Sequence, residues 1–450
     1  MMTGTRLRGD IDRCIGAALT AVAPETCLER AVHLDNDRFF VSGESFDLSD
    51  VSRIFVVGMG KASSRMAASL ERILGERIHA GLVVTADGYK VPTSRVKVVE
   101  AFHPVPDQRG IAAAQRIAKL ADGAREGDLV IILISGGGSA LLTLPSSGLV
   151  LDDLVATNEL LLRSGAKIQE INTVRKHLSQ LKGGQLAARA FPAKVVSLIV
   201  SDVGGDSLDV IASGPTVGDP TTYTDAARIL RHYGLWDRVP QSIRDHVEAG
   251  TRGEIPETPK PGDALFARVT TNIIGSGSIA AAAALNEAKN LGYHTLLLTT
   301  TLQGEAREVG NVFAAIAREE MRNSQPLPLP ALIVAAGETT VTVSGFGKGG
   351  RNQELALSAA LGIEGLPGAM IASVGTDGRD GPTDAAGAIV DGETIPRLRK
   401  LGIDPEESLA TNDSYHALAS SGDLITTGPT GTNVADLCLI ACDKAPSQES

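Results

Sequence analysis

Aromatic residues are scarce in this sequence: Phe, Trp and Tyr make up 3%, with a single Trp. Positive charge is short as well, since Lys+Arg 42 against Asp+Glu 53 gives a formal charge of -11. A nucleic-acid binder needs a basic footprint and often stacking platforms, so that class is excluded. Any anionic ligand must instead be held by a local cluster of donors. No apolar run approaches the ~18 residues of a membrane span. The apolar stretch from Cys14 to Ala23 follows Arg6, Arg8 and Arg13 and ends in a signal-like Ala21-Val22-Ala23 triplet. Asp10 and Asp12 interrupt the charged region, however, and Ile11, Ile15, Leu19 and Val22 recur at helical spacing. An amphipathic first helix is therefore predicted, not an export signal. Cysteine is rare, and Cys14, Cys27, Cys438 and Cys442 include no Cys-x-x-Cys pair. Neither a disulfide framework nor a zinc pattern follows, and a reducing, cytoplasmic location is expected.

Glycine, by contrast, is abundant: 49 of 450 residues is about 11%, against a usual ~7%. With 21 Pro and no G-X-Y period, the excess means many tight turns. A chain of 450 residues exceeds what one core usually serves, ~250–300 residues, so two domains are expected. From Ile54 the chain alternates β-branched runs with amphipathic stretches, which implies βαβ units and a parallel sheet. Strands are predicted at 54–57, 81–85, 96–101, 129–134 and 195–200, with a helix over 62–74. Prolines and glycines in 250–263 and 324–330 mark two breaks. The first is taken as the boundary between an N-terminal domain, 1–250, and a C-terminal domain, 264–445. Between the breaks, strands at 269–274 and 295–299 alternate with helices near 279–291 and 305–322, a unit that could dock on either sheet. Further strands are predicted at 331–335, 339–344, 369–374 and 423–427.

Glycine turns after strands carry the chemistry. Gly58-Met59-Gly60-Lys61-Ala62-Ser63 follows a strand and opens a helix, where backbone amides form an anion site, with Lys61 beside it. A dinucleotide fingerprint would place Gly or Ala at position 63 and an acid about twenty residues on. Ser63 and the too-distant Asp87 argue against NAD. Ser135-Gly136-Gly137-Gly138-Ser139 follows the most apolar strand, and consecutive glycines let a ligand approach the backbone closely. It is neither a Walker loop nor a nucleophile elbow. Arg175, Lys176 and Lys182 are cations that could hold an anionic substrate or simply form a solvated helix face. Asp202 and Asp206 follow a buried strand, where ligand-facing groups of open α/β sheets gather, and can bind Mg²⁺ or accept a hydroxyl proton. Arg351, Asn352 and Glu354 open an Ala/Leu-rich helix, and Asp377 lies in a turn after a strand. Together these point to a phosphorylated nucleotide and metal-assisted transfer.

The segments VVGMGKAS, AFHPVPDQRG, LISGGGSALL, INTVRKHLSQLKGG, SDVGGDSLDVIASGPT, GGRNQELAL and GTDGRDGPTDAAGA, in that order, resemble the glycerate 2-kinase (class II glycerate kinase) family. The resemblance runs from position 56 to about 388. It implies an N-terminal Rossmann-like, mostly parallel sheet, a C-terminal α/β domain and an active site in the cleft between them. The implied activity is phosphorylation of D-glycerate at the 2-hydroxyl, with ATP and Mg²⁺. By motif, Lys61 and Arg351 become active-site cations, and Gly136, Gly137, Gly138 and Ser139 hold nucleotide phosphates. The residues themselves add Gly58, Gly60 and Ser135 to the phosphate site and Asp202 as base or metal ligand. They also give Asp206 as a second metal ligand, and Lys182, Asn352, Glu354 and Asp377 as substrate or metal contacts. The partners expected are glycerate and a nucleotide, without nucleic acid or membrane, and with a homodimer as a compatible assembly. The alternative is an NAD(P)H-dependent hydroxypyruvate reductase, a name family members often carry. It would need the missing fingerprint and a proton donor, and His103, between Phe102 and Pro104, has no evident partner in the sequence.

Overall fold

The computed structural model describes residues 2–443. Three short strands come first, β1 (Val32–Asp35), β2 (Arg38–Val41) and β3 (Glu44–Asp47), paired as an antiparallel meander. The first large sheet contains β4 (Ile54–Met59), β5 (Ile78–Ala86), β6 (Val96–Ala101), β7 (Leu129–Ile134), β8 (Lys194–Val200) and β9 (Val269–Gly275). Its order is β6-β5-β4-β7-β8-β9, and β6 to β8 all pair in parallel. Every residue of β4 and β7 is buried, as their near-continuous apolar sequences require of central parallel strands. Counted within the sheet, the order is 3-2-1-4-5-6, the doubly wound arrangement. The direction of winding reverses between β4 and β7, so their carboxyl ends form a switch-point crevice, the usual ligand position. Helices Leu151–Arg163, Ile168–His177, Tyr223–His232 and Gln241–Thr251 pack on a separate apolar cluster that includes Leu161, Val174, Leu230 and Val247.

The second large sheet contains β10 (His294–Leu302), β11 (Ala331–Gly337), β12 (Ala369–Gly375), β13 (Gly387–Asp391), β14 (Leu424–Ile425) and β15 (Asp436–Cys442). The order is β10-β11-β15-β12-β13-β14. Only β10 and β11 pair in parallel; β15 runs antiparallel to both β11 and β12 and lies between them. Helix Arg351–Gly362 is buried along Asn352 to Ala360 and contributes Leu355, Ala356 and Ala359 to the core under this sheet.

Two compact units result, but not at the expected boundary. One holds the chain up to Ala23, Asp202–Gly205 and everything from Gly275 onward; the other holds Pro24–Ser201 and Asp206–Ile274. The predicted first helix exists, as Met2–Ala21, yet it belongs with the C-terminal sheet. Its apolar face explains this, with Leu7, Ile11, Cys14, Ile15 and Ala18 all buried, and Asp10 adds a hydrogen bond accepted from Tyr293 Oη at 2.8 Å. The βαβα unit between the breaks is divided, with β9 in the first sheet and the following helix Gly277–Asn290 and β10 in the second unit. Residues 339–344 form no strand; a single bridge between Glu305 and Thr340 is the only ladder contact there. Residues 444–445, at the end of the expected C-terminal domain, lie outside the described residues. Among those described, no helix is long and apolar enough to cross a membrane.

Candidate active site

At the end of β4 the backbone turns at Gly60, with φ +116°, and a Cβ there would collide with the carbonyl and hydroxyl of Ser135. The two glycine turns are thus in direct contact. The amides of the first are all used internally: Gly60 donates to Val84 O, Lys61 to Gly136 O at 2.9 Å, Ala62 to Ser135 Oγ at 2.9 Å, and Ser63 to Gly60 O. Gly58 lies inside β4, where a Cβ would come within 2.7 Å of Leu133 O. The expected phosphate role of Gly58 and Gly60 is therefore corrected, since amides already paired cannot cradle an anion and both glycines are required by packing. Ser63 donates its hydroxyl to Gly60 O and Val84 O, tying the helix start to β5 in the place of the fingerprint's third glycine.

The second turn is different. Ser135 and Gly138 donate to Met59 O and Ser135 O, but the amides of Gly136, Gly137 and Ser139 meet no protein acceptor among the described residues. Gly137 has φ +82°, a conformation that glycine alone adopts without strain. Lys61 lies beside this turn, and its ammonium makes no ion pair or hydrogen bond among the described residues. Ser135 Oγ accepts from Ala62 and braces the first turn. Ser139 Oγ bonds Ser213 Oγ at 2.9 Å, and Ser213 Oγ donates to Asn172 Oδ1 at 3.0 Å. Ser213 has one hydrogen, so Ser139 is the donor in that pair. Its hydroxyl is engaged, and only its amide is free for an anion.

Lys182, expected at the substrate, is buried, and its Nζ donates to Ser139 O at 2.7 Å and Leu142 O at 3.0 Å. It buttresses the turn from behind, a correction with a plain cause: the chain folds Gly183 and Gly184 back against Ser213 and Gly214 and draws the lysine inside. Burial, and secondarily the charge of Arg175, pushes its pKa down to about 7. A neutral amine keeps two N–H donors, matching its two carbonyls. The unfolded chain holds this proton up to the ordinary 10.5, so between about 7 and 10.5 it binds more protons than the fold does, and stability rises with pH. Urea midpoints should increase across that window, and Lys182→Met should flatten the increase. Arg175 and Lys176 are internal too: Arg175 Nε bonds Asn158 at 2.8 Å, and Lys176 pairs with Asp219 at 3.3 Å. They form neither a ligand patch nor a solvated face.

The other chemical cluster surrounds Arg351, the first residue of its helix. Its Nε and Nη2 grip Asp436 at 2.6 and 2.9 Å, and Nη1 meets Glu338 at 2.7 Å. Asp436 opens β15 in register with Gly337 on one side and Gly375 on the other, so neither neighbouring strand places a side chain beside it. Burial pushes its carboxyl up, with Arg351 opposing and Asp377 adding to the rise. Glu338 is pushed up as well, by desolvation first, against Arg351, with Asp436, Asp202 and Asp377 contributing repulsion. One guanidinium thus faces an excess of carboxylates. Asp377 accepts from the Arg379 amide at 3.0 Å.

Asn352 and Glu354 are not presented to a ligand, contrary to expectation. Asn352 is buried between Asp380 and Ser373, and Asp380 also takes the amides of Asn352 and Gln353, which caps the helix. Glu354 is buried against Arg307 at 2.7 Å and Asn412 at 3.0 Å. These partners hold both first-turn side chains facing the core. Asp202 and Asp206 fall in different compact units, and Asp206 has φ +53°. Among the described residues no group of three His, Cys, Asp or Glu side chains is placed to hold a metal by itself. Sequence reasoning missed Glu338, Asp380 and Asp436. Glu338 follows a buried strand and was findable by that rule; Asp436 is a lone acid at the head of an apolar run.

The doubly wound sheet, with a glycine turn at its switch point and Lys61 beside it, defines an α/β protein of the Rossmann-like class. Two family models match the chain: "Domain of unknown function (DUF4147)" over residues 10–248 and "MOFRL family" over 331–436. A Pyrococcus horikoshii protein named Glycerate 2-kinase is 47% identical over 428 residues, 95% of each chain. An Agrobacterium vitis protein with a provisional hydroxypyruvate reductase name is 46% identical, covering 86% of both. The crystal structure of a Thermotoga maritima glycerate kinase superposes with a TM-score of 0.87 at 42% identity, over 98% of this chain and 100% of that one. The chain belongs to the glycerate 2-kinase family.

Proposed function

We propose that the chain transfers the γ-phosphoryl group of ATP to the 2-hydroxyl of D-glycerate, giving 2-phosphoglycerate and ADP. The observation that carries this reading is the trio of unused amides at Gly136, Gly137 and Ser139 beside the unpaired Lys61. Phosphoryl transfer asks a protein chiefly for positioning and charge neutralisation. The amides receive phosphate oxygens, and Lys61 offsets charge on the transferring group. Arg351 keeps its Nε–Nη2 edge on Asp436, so the glycerate carboxylate is received on its Nη1 side, where Glu338 now sits. Asp202 accepts the proton of the 2-hydroxyl. Mg²⁺ usually keeps several waters and is held by one or two carboxylates with substrate phosphates. The excess of acid around Arg351 fits that mode: Glu338 or Asp377, completed by the nucleotide's phosphates and waters, would hold the ion, which would neutralise the nucleotide's charge. Buried cysteines without a disulfide support a reducing, cytoplasmic setting.

The test is a coupled assay for ADP with glycerate, ATP and Mg²⁺, alongside NADH oxidation with hydroxypyruvate. ADP should form only with glycerate and Mg²⁺ both present, and ³¹P NMR should identify the 2-phosphate. NADH oxidation without ADP formation would return the chain to the reductase reading that two relatives' names carry.

A further inference from the structure

We propose that His103 is a phosphate-binding residue, donating an imidazole N–H to the nucleotide's phosphate chain at the Gly136–Ser139 turn. The proposal rests on the kinase reading above and adds a residue to its nucleotide site. The ring lies directly over Gly137: a Cβ built there would come within 2.9 Å of both Nε2 and Cδ2 of His103. An imidazole nitrogen therefore sits at the turn whose amides are unused. His103 is partly exposed, and neither ring nitrogen has a hydrogen-bond partner among the described residues. By contrast His177 bonds Thr173 O and Glu257, and His246 bonds His177 O. A ring held against glycine, and unpartnered where three amides also lack acceptors, is placed for an anion.

Charge makes the assignment testable. Burial, then the nearby Lys61, lowers the pKa of His103 below the ordinary 6.5, so the free protein carries a neutral ring at pH 7. Lys61 is the charged group that faces it. The acids of the adjoining segments are turned elsewhere, Asp107 to the Gly110 amide and Arg109, and Asp87 to Arg109. A bound polyphosphate reverses the local field and favours imidazolium. Nucleotide binding should therefore take up a fraction of a proton from solvent near pH 6.5, and that proton strengthens the N–H···O bond.

Calorimetry of the whole protein with Mg²⁺ and a non-hydrolysable ATP analogue, in two non-phosphate buffers of different ionisation enthalpy, reads this uptake directly. Adenosine serves as the phosphate-free control. His103→Gln should reduce the uptake to whatever Lys182, titrating at about 7 behind the same turn, contributes, and weaken the analogue roughly tenfold or more, the scale of a hydrogen bond to a charged group, while adenosine binds as before. Undiminished uptake and affinity in His103→Gln, with wild type binding normally, would overturn the proposal and leave the kinase reading intact. Equal losses for adenosine and analogue would make His103 a packing residue and overturn it as well. No analogue binding by wild type would remove the nucleotide site itself.

Discussion

Lys61→Ala should lower kcat for glycerate phosphorylation by ~10² or more, the effect of losing one preorganised donor from a transition state. The thermal midpoint should hardly change. The Lys61 amide, which donates to Gly136 O in the second turn, and its carbonyl, which accepts from Thr85 Oγ1 on β5, belong to the backbone and survive the substitution. The ammonium has no partner to abandon among the described residues, and substitutions of that kind usually fall within ~0.5 kcal/mol. Steady-state kinetics with a melting curve separates the two effects. An unaltered kcat/KM would mean that the lysine serves only as a surface cation beside the turn.

Arg351→Ala should have the second large effect, and on two quantities at once. The Asp436 side chain is 4% exposed and Arg351 is 33% exposed. Removing the arginine leaves a buried carboxylate without its cation, which costs ~3 kcal/mol, the low end for such a loss because the guanidinium is partly solvated. For a unit of this size that is a fall on the order of 6–12 °C in the melting midpoint. Asp436 already titrates above its ordinary range, so the folded state holds its proton longer than the unfolded chain does. Its contribution is fully present below the unfolded value of 3.8 and fades as pH rises, so the deficit of Arg351→Ala should grow from pH 4 towards neutrality. Arg351→Lys keeps the charge but not the planar fork and should fall between, with KM for glycerate raised more than KM for ATP. Combining Arg351→Ala with Asp436→Asn should recover much of the stability and none of the activity. Recovery of both would make the pair purely structural.

The N-terminal sheet was largely legible because each of its strands is a short β-branched run followed by a turn and a helix. Val96–Ala101 and Leu129–Ile134 have the predicted bounds. The tight turn at Gly136–Gly138 was legible for the same local reason, since three glycines in a row mark close backbone approach wherever they occur. What could not be read was decided by partners far along the chain. Val341, Thr342 and Val343 look like a strand, yet no neighbour pairs them; Thr342 instead bonds Glu305 and Ser344 bonds Asn412. Asp436–Cys442 went unpredicted, although its two flanking strands lie at 331–337 and 369–375. Helix positions Asn352 and Glu354 carry the right chemistry for a site, but their faces are fixed by Asp380 and Asn412, which no spacing rule connects to them. The amides of Gly60, Lys61 and Ala62 in the first glycine turn are taken up for a similar reason: their acceptors are on β5 and in the second turn.

The central position of β15 bears on how the protein is made. Residues 24–274 supply all the strands of the first large sheet, so that unit can assemble while the rest of the chain is still being synthesised, in keeping with the domain-by-domain habit of long chains. The other unit begins with the first helix and is bisected by the last strand. Until residue 442 leaves the ribosome, β11 and β12 each present an open edge, with Leu332, Val334, Ile371 and Val374 among the residues awaiting β15. A nascent chain stalled short of that point would expose two apolar strand edges, a state disposed to aggregate. Chaperone demand should therefore be concentrated in the interval before residue 442 emerges, and emergence of β15 should convert the nascent chain from chaperone-bound to protease-resistant in a single step.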